Sequence, residues 1–296
     1  GYDAGGGTWT TAASNYNIAI GNYTMDAALN GAEANTALGH YNLTSLTTGD
    51  QNTAIGYYSL ISATTAGQNT MVGYQTGESL VTGASNTGVG GFALQKLIGS
   101  NSTAVGNKAG RYATGSYNTF VGESAGEGGT TGAPYSSGQN NTAIGYQALA
   151  GFTTGFSNVA IGYQTLDALT TAYGNTAIGY QAGSALTTET NNTIIGSSAG
   201  DAMTNATGTV IIGENAGRSI NSTDANGTVA IGNGAGNAIT SGQGNVAIGY
   251  GALDAEDTGD YNTAIGHQAL SAQNMDGNVS NTAVGYNAGL PITTSH

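Results

Sequence analysis

Apolar and polar residues recur along this chain in one short pattern, of which NTAIGYQAL at residues 141–149 is a representative copy. Aligned on its glycine, the pattern occurs sixteen times between Gly21 and Gly285, and nine of the fifteen intervals are 17 residues long. The residue before each of these repeat glycines is aliphatic, and the residue three before it is Thr, Val or Ile. Because strand side chains alternate between two faces, the pattern predicts a short β-strand ending at the glycine, with these two positions on one face.

The two faces of this predicted strand carry different residues. We expect the aliphatic column, which includes Ile144, Ile161 and Ile178, to be buried. The opposite face, two residues before the glycine, is Ala in eleven of the sixteen copies. The residue four before the glycine is Asn in thirteen copies, which is typical of a turn that precedes a strand.

The pattern continues after the glycine with small residues three positions on and with Leu, Met or Gly four positions on. Where the fourth position is Gly, a bulky apolar residue follows three places later in six of eight copies, as at Leu80 and Leu186. A core must keep its volume, so we interpret the two positions as alternative ways of filling one interior slot.

This periodicity predicts an all-β fold, a parallel β-roll or β-solenoid of about sixteen 17-residue coils. Glycine and β-branched residues are too frequent for a helix, and no 3.6-residue stripe is present. One coil cannot bury a core alone, whereas stacked coils can. We expect an N-terminal cap or lead-in coil at 1–16, the repeat domain at 17–289 and a C-terminal tail at 290–296.

The Ala column predicts an interface, since an exposed strand face ordinarily carries larger polar side chains. We predict a homotrimer with these faces directed toward the symmetry axis. Phe120, Ile194 and Ile211 interrupt the column, where we expect looser packing or an exchange of interior and interface roles. The alternative is that Ala simply fits a cramped interior. The predicted interface residues are Ala143, Ala160, Ala177, Ala247 and Ala264.

Composition excludes several classes of function. The chain has no cysteine, so it offers neither disulfides nor thiolate metal ligands. Its four Lys and Arg residues, against 17 acidic residues, make nucleic acid an unexpected partner. No segment approaches the ~18 apolar residues of a membrane-spanning helix, so membrane insertion is not expected.

The sequence indicates no enzyme and no cofactor. Two of the three histidines, His40 and His267, occupy a repeat position that is Tyr in seven copies, and no Ser/His/Asp group can be assembled. The densest acidic group offers oxygen ligands for Ca²⁺ but lacks calcium-roll spacing, so a solvated turn is the alternative interpretation. That group comprises Asp254, Glu256, Asp257 and Asp260.

Two features are candidates for receptor binding. Tyrosines one residue after the glycine, including Tyr146, Tyr163 and Tyr180, predict an aromatic ladder that either stabilises the stack or binds a partner. The interval of 23 residues between Gly122 and Gly145 places an insertion at 127–140, which contains Pro134 and Tyr135. Solenoid insertions form surface loops, either as tolerated additions or as binding sites.

The N-x-A-[IV]-G repeats over residues 17–289 resemble the head repeats of YadA-like trimeric autotransporter adhesins and the NTAIGYQAL repeats of phage-type tail fibres. This resemblance implies a left-handed parallel β-roll, a homotrimer, and attachment to a host-surface glycan or protein receptor from a cell surface or virion. The coil is longer than the usual adhesin coil, and the sequence has neither a heptad stalk nor an anchor barrel.

Two other functions are alternatives to attachment. An ice-binding solenoid would use Thr, which occupies the position three before the glycine in eleven copies. That position shares a face with the aliphatic column, so we expect these threonines to point inward, unlike an ice-binding array. A polysaccharide-processing solenoid would need clustered ionisable residues, whereas the chain has only four basic ones.

Overall fold

The computed structural model describes residues 1–7, 12–129 and 132–290, and it shows an all-β solenoid of about sixteen coils. This confirms the predicted fold class, including the parallel strand arrangement and the spacing of about 17 residues. The chain divides into two compact units, Gly1–Thr154 and Gly155–His296. Of the predicted lead-in and tail, residues 8–11 and 291–296 lie outside the described residues.

The first unit contains eight short strands, each pairing in parallel with the next. Equivalent residues pair in register, so Ala37 lies beside Ala54 and Gly39 beside Gly56. The strands are β1 (Ile18–Ile20), β2 (Thr36–His40), β3 (Thr53–Tyr57), β4 (Thr70–Val72), β5 (Thr87–Val89), β6 (Thr103–Val105), β7 (Thr119–Val121) and β8 (Thr142–Ile144).

The second unit repeats this arrangement and adds small elements in its longer coils. A 3-10 turn at Thr223–Ala225 begins after Ser222, whose side chain accepts a hydrogen bond from the Asp224 N–H. A separate two-stranded sheet joins β15 and β17. The strands are β9 (Val159–Ile161), β10 (Thr176–Ile178), β11 (Thr193–Ile195), β12 (Val210–Ile212), β13 (Val229–Ile231), β14 (Val246–Ile248), β15 (Gly259–Asp260), β16 (Thr263–Ile265), β17 (Gly277–Asn278) and β18 (Thr282–Val284).

The two faces of the strands are the reverse of those expected from the sequence. Ile178 is 37% exposed, Ile144 is 38% exposed and Ile161 is half-buried, so the aliphatic column points outward. The Ala column points into the solenoid. The residues predicted to form a trimer interface are fully buried within their own chain, so they cannot contact a second one; they are Ala143, Ala160, Ala177, Ala247 and Ala264.

Large side chains from the turns explain why most strands contribute only Ala to the interior. Leu43 and Leu46, four and seven residues after Gly39, are both fully buried. The two positions are therefore separate buried columns, and the expectation of one slot filled in two ways is wrong. Because these columns occupy most of the narrow core, little volume remains beneath the strand.

The bulky residues that interrupt the Ala column occupy space left by glycines in the turns. Phe120 is fully buried, and a Cβ added at Gly110 or Gly126 would lie only 2.7 Å and 2.2 Å from its ring. In the same way, a Cβ added at Gly217 would lie 2.7 Å from the Ile211 side chain. The expected loosening of packing at Phe120, Ile194 and Ile211 is therefore not found, since all three are core residues.

A ladder of buried asparagines marks the start of the strands. The Asn52 side-chain amide donates to the Asn35 Oδ1 atom at 3.0 Å and to the Ala66 carbonyl at 2.7 Å. Its backbone N–H donates to the same Oδ1 atom at 2.9 Å. Asn69 repeats these contacts one coil later. Each asparagine thus satisfies polar groups that burial would otherwise leave without partners.

The repeat glycine is required by both its backbone conformation and its surroundings. Gly179 has a φ of +140°, which side chains rarely adopt. A Cβ at this position would lie 2.3 Å from the carbonyl oxygen of Gly196 in the next coil. Gly285 has a similar φ of +132°, but the nearest atom to its added Cβ is the Ala288 Cβ at 3.9 Å.

We expect Gly179→Ala to lower the free energy of unfolding by more than Gly285→Ala. The terminal substitution costs only backbone strain, about 1–3 kcal/mol. The internal one adds a clash with the backbone of the next coil. Thermal unfolding followed by circular dichroism measures both losses, and equal losses would show that conformation alone selects glycine here.

Candidate binding surfaces

The outward side chains of the strands form an uncharged surface, here called the sheet face. It consists of the residues one and three positions before each repeat glycine, all of them Thr, Val, Ile or Leu. Thr176 pairs with Thr193 and Ile178 with Ile195 on adjacent strands, so like residues lie side by side. Threonines on this face are partly exposed rather than buried, contrary to the inward orientation expected for them.

The predicted tyrosine ladder is present after the strands. Tyr163 and Tyr180 stack with ring centroids 5.3 Å apart and an interplanar angle of 9°. In the later coils His267 is stacked between Tyr250 and Tyr286, at 5.0 and 5.2 Å. His267 therefore takes the part of a ladder ring, as its repeat position predicts. Tyr146, Tyr163 and Tyr180 keep a large part of their rings exposed.

The first coils hold a second set of aromatic rings that the sequence analysis did not single out. Tyr23, Tyr41, Tyr58 and Phe92 lie two residues after a repeat glycine, a position that is never aromatic in the later coils. Tyr23 and Tyr41 stack at 4.9 Å with an interplanar angle of 10°. A comparison of this single position along the repeats would have revealed the set.

One tyrosine of this region has a perturbed acidity. A hydrogen bond with the Tyr58 side chain, together with desolvation and the neighbouring phenols, raises the pKa of Tyr57 to about 12. The rings of Tyr57 and Tyr58 are 4.1 Å apart. Tyr57 therefore stays protonated and uncharged well above neutral pH.

The insertion at 127–140 folds back on the solenoid. Tyr135 stacks on Tyr112 at 6.1 Å, and Ser136 forms a parallel bridge with Ala113. Pro134 is exposed and follows a cis peptide bond. Residues 130–131 lie outside the described residues. Of the two predicted binding residues of this segment, Pro134 is thus on the surface, whereas Tyr135 is half-buried against the preceding coil.

The acidic group at 254–260 does not converge on a cation site. Glu256 is fully buried, and its carboxylate accepts hydrogen bonds from the Gly259 N–H and the Gln273 side-chain amide, each at 2.7 Å. Asp260 accepts from the Gln243 N–H at 2.8 Å, and burial raises the pKa of Asp254. Within the described ranges, no three His, Cys, Asp or Glu side chains are grouped to hold a metal ion. The weaker prediction of a Ca²⁺ site therefore gains no support from the arrangement of these side chains.

Comparison with known proteins leaves the family open, since neither a family model nor a curated protein matches this chain. Among the residues that the structure describes, no helix has the length and apolar character needed to cross a membrane.

Two carboxylates have pKa values shifted in opposite directions. Burial alone would raise the pKa of Glu189, but backbone N–H groups outweigh it and the pKa is lowered. The donors include Thr187 at 2.6 Å, Thr188 at 2.9 Å and Asn205 at 3.2 Å. Burial raises the pKa of Asp167, and hydrogen bonds from its own N–H and that of Ala168 only partly oppose the shift.

These shifts predict opposite pH dependences. A carboxylate with a lowered pKa stabilises the fold above its unfolded pKa of about 4.3 and loses this contribution as pH falls through its folded pKa. We therefore expect Glu189→Gln to reduce stability at pH 7 by about 1–3 kcal/mol, with the difference from wild type shrinking below about pH 4.

Asp167→Asn provides the matched comparison. Its raised pKa destabilises the charged fold at neutral pH, so the substitution is expected to raise the melting temperature at pH 7 and to change it little near pH 3. Melting curves of both variants at a series of pH values check the two signs. The same pH trend in both variants would contradict the assignment.

Proposed function

We propose that this chain is a non-catalytic repeat segment of an extracellular attachment fibre, displayed on a cell surface or virion. It assembles as a homotrimer through the sheet face, not through the Ala column. The observation that carries the proposal is the outward direction of the aliphatic and Thr columns in every coil.

The sheet face supports this proposal because it leaves apolar surface without a partner in one chain. Eight residues of the aliphatic column are exposed and the other eight are only half-buried. Extended exposed apolar patches typically mark interaction sites. In closed cyclic symmetry the sheet faces of identical chains meet around one axis. Each face is then covered by its neighbours.

Charge favours the same surface for self-association. The chain carries a formal net charge of -13, so copies repel one another through most surfaces. The sheet face has no charged residue in its two columns, and association there brings no like charges into direct contact. The number of three subunits comes from the resemblance of the N-x-A-[IV]-G repeats to trimeric adhesin heads and tail fibres.

Ice binding is a second candidate, supported by the orientation of the threonines. The sequence argument against it was that Thr shares a buried face with the aliphatic column, and this objection no longer holds. Thr53, Thr176 and Thr193 lie on the outer face of in-register parallel strands. We rank this function second because 21 of the 32 sheet-face residues are aliphatic, which suits a protein partner.

The trimer is tested by placing charge on the sheet face. We expect the wild-type chain to have three times its 29.2 kDa mass in multi-angle light scattering. Combined substitutions Ile178→Asp and Ile212→Asp, on β10 and β12, should convert it to a folded monomer, because carboxylates would be buried against their symmetry copies. Val81→Asp, at a residue exposed outside the strands, is the control and should leave the trimer intact.

Two results would overturn this assignment. One is a wild-type monomer at micromolar concentration; the other is a charged double variant that remains trimeric. A wild-type monomer that shows thermal hysteresis, with the activity abolished by Thr176→Asp and Thr193→Asp, would instead favour the ice-binding function.

A further inference from the structure

The first unit carries a continuous row of aromatic rings, here called the aromatic track, formed by Tyr2, Tyr23, Tyr41, Tyr57, Tyr74 and Phe92. Successive ring centroids are 5.5, 4.9, 6.1, 5.8 and 5.0 Å apart in that order. All six rings are partly or largely exposed. The track therefore presents an extended aromatic surface that runs from the lead-in segment across the first five repeat coils.

The Arg111 guanidinium lies at one end of the track. It is 4.6 Å from the centroid of the Phe92 ring and 4.9 Å from that of Tyr112. Arg111 also donates from Nε to the Gln95 side chain at 2.9 Å, which fixes its position. The guanidinium packs on an aromatic face as a cation and places hydrogen-bond donors at this end of the track.

The track draws its rings from two different backbone positions. Tyr57 and Tyr74 follow the repeat glycine directly, whereas Tyr23, Tyr41 and Phe92 lie one residue further on. The latter three have φ values of +53°, +55° and +60°, a conformation that bulky side chains rarely adopt. Later coils place Gln, Asn, Ser, Gly or Lys at this position and form equivalent turns. Stacking of the solenoid therefore does not require aromatic rings there.

The chemistry of the track favours an uncharged ligand. Phenol and phenyl rings provide flat apolar surfaces, and the tyrosine hydroxyls add hydrogen-bonding groups at the edges. The net charge of -13 disfavours polyanions such as nucleic acid or acidic polysaccharide. Neutral sugars combine apolar C–H faces with peripheral hydroxyls, which match these two properties.

We propose that the aromatic track binds a linear, uncharged glycan along several successive coils. The inference rests on the proposed attachment function and specifies the receptor class and its site. The exposed parts of the rings and their hydroxyls contact successive sugars, and contacts along the polymer combine because the rings are held in one row. The ligand thus extends across the coils, following the stacking direction within this unit.

The test uses substitutions that the repeat itself contains. Gln at position 41 matches Gln75 and Gln147, and Asn at positions 57 and 74 matches Asn107 and Asn233. The combined variant Tyr41→Gln, Tyr57→Asn, Tyr74→Asn is therefore expected to fold. The control variant Phe156→Ser, Tyr173→Ser removes a stacked pair of similar exposure outside the track, and Ser100 and Ser116 occupy the same repeat position in other coils.

Isothermal titration calorimetry with the whole 296-residue chain measures binding to the neutral hexasaccharides of cellulose, laminarin, amylose and mannan, and to oligogalacturonate. We expect at least one neutral hexasaccharide to bind the wild type, with affinity lowered about tenfold or more in the track variant and within about twofold of wild type in the control. Oligogalacturonate should bind more weakly than the neutral ligand.

Three outcomes would overturn the inference: no neutral ligand binds at millimolar concentration, the track variant binds as well as wild type, or the control loses as much affinity. Light scattering on the same samples separates this result from the proposed function. Loss of glycan binding by an intact trimer concerns the track alone, whereas glycan binding by a wild-type monomer would contradict trimer assembly and leave the track site standing.

Discussion

The close approach of successive coils at the repeat glycine is the constraint on which the solenoid depends. The Gly179 N–H donates to the Ile161 carbonyl in the preceding coil at 2.8 Å. The position of its absent Cβ lies 2.3 Å from the Gly196 carbonyl oxygen in the following coil. Any side chain here would separate the coils and break the adjoining hydrogen bonds. The glycine therefore sets the strand end and the direction in which the chain leaves it.

The interior follows from this tight stacking, because each coil has a fixed and narrow volume to fill. Leu43 and Leu46 enter the core from the turn, which leaves only an Ala-sized space beneath β2. Where the turn has glycine instead, the strand supplies the volume, as Phe120 does beside Gly110 and Gly126. Core volume is thus conserved between neighbouring coils, since voids and overpacking are both destabilising.

The sequence predicted the strands, their parallel stacking and the number of coils, because glycine spacing and side-chain alternation are local properties. It did not predict which face was buried. The columns of Ile178 and Ala177 recur at the same spacing, and periodicity does not reveal which column is inside. The deciding quantity was the space taken by turn residues such as Leu166, which depends on the path of the chain after the glycine. The aromatic track was also not predicted. Its rings come from two different repeat positions, and only the folded coil brings those positions together.

The reversal of the faces changes what the repeated sequence accomplishes. An outward Ala column would give each chain little apolar surface to share, whereas an outward Ile and Thr column gives every coil an equal and uncharged contact. Because all coils contribute alike, the sheet face supports association along its length but cannot distinguish one ligand from another. Recognition requires a departure from the repeat, and the aromatic positions of the first five coils are such a departure. In the proposed function, assembly and recognition use different columns of the same coils, so each can vary in sequence without disturbing the other.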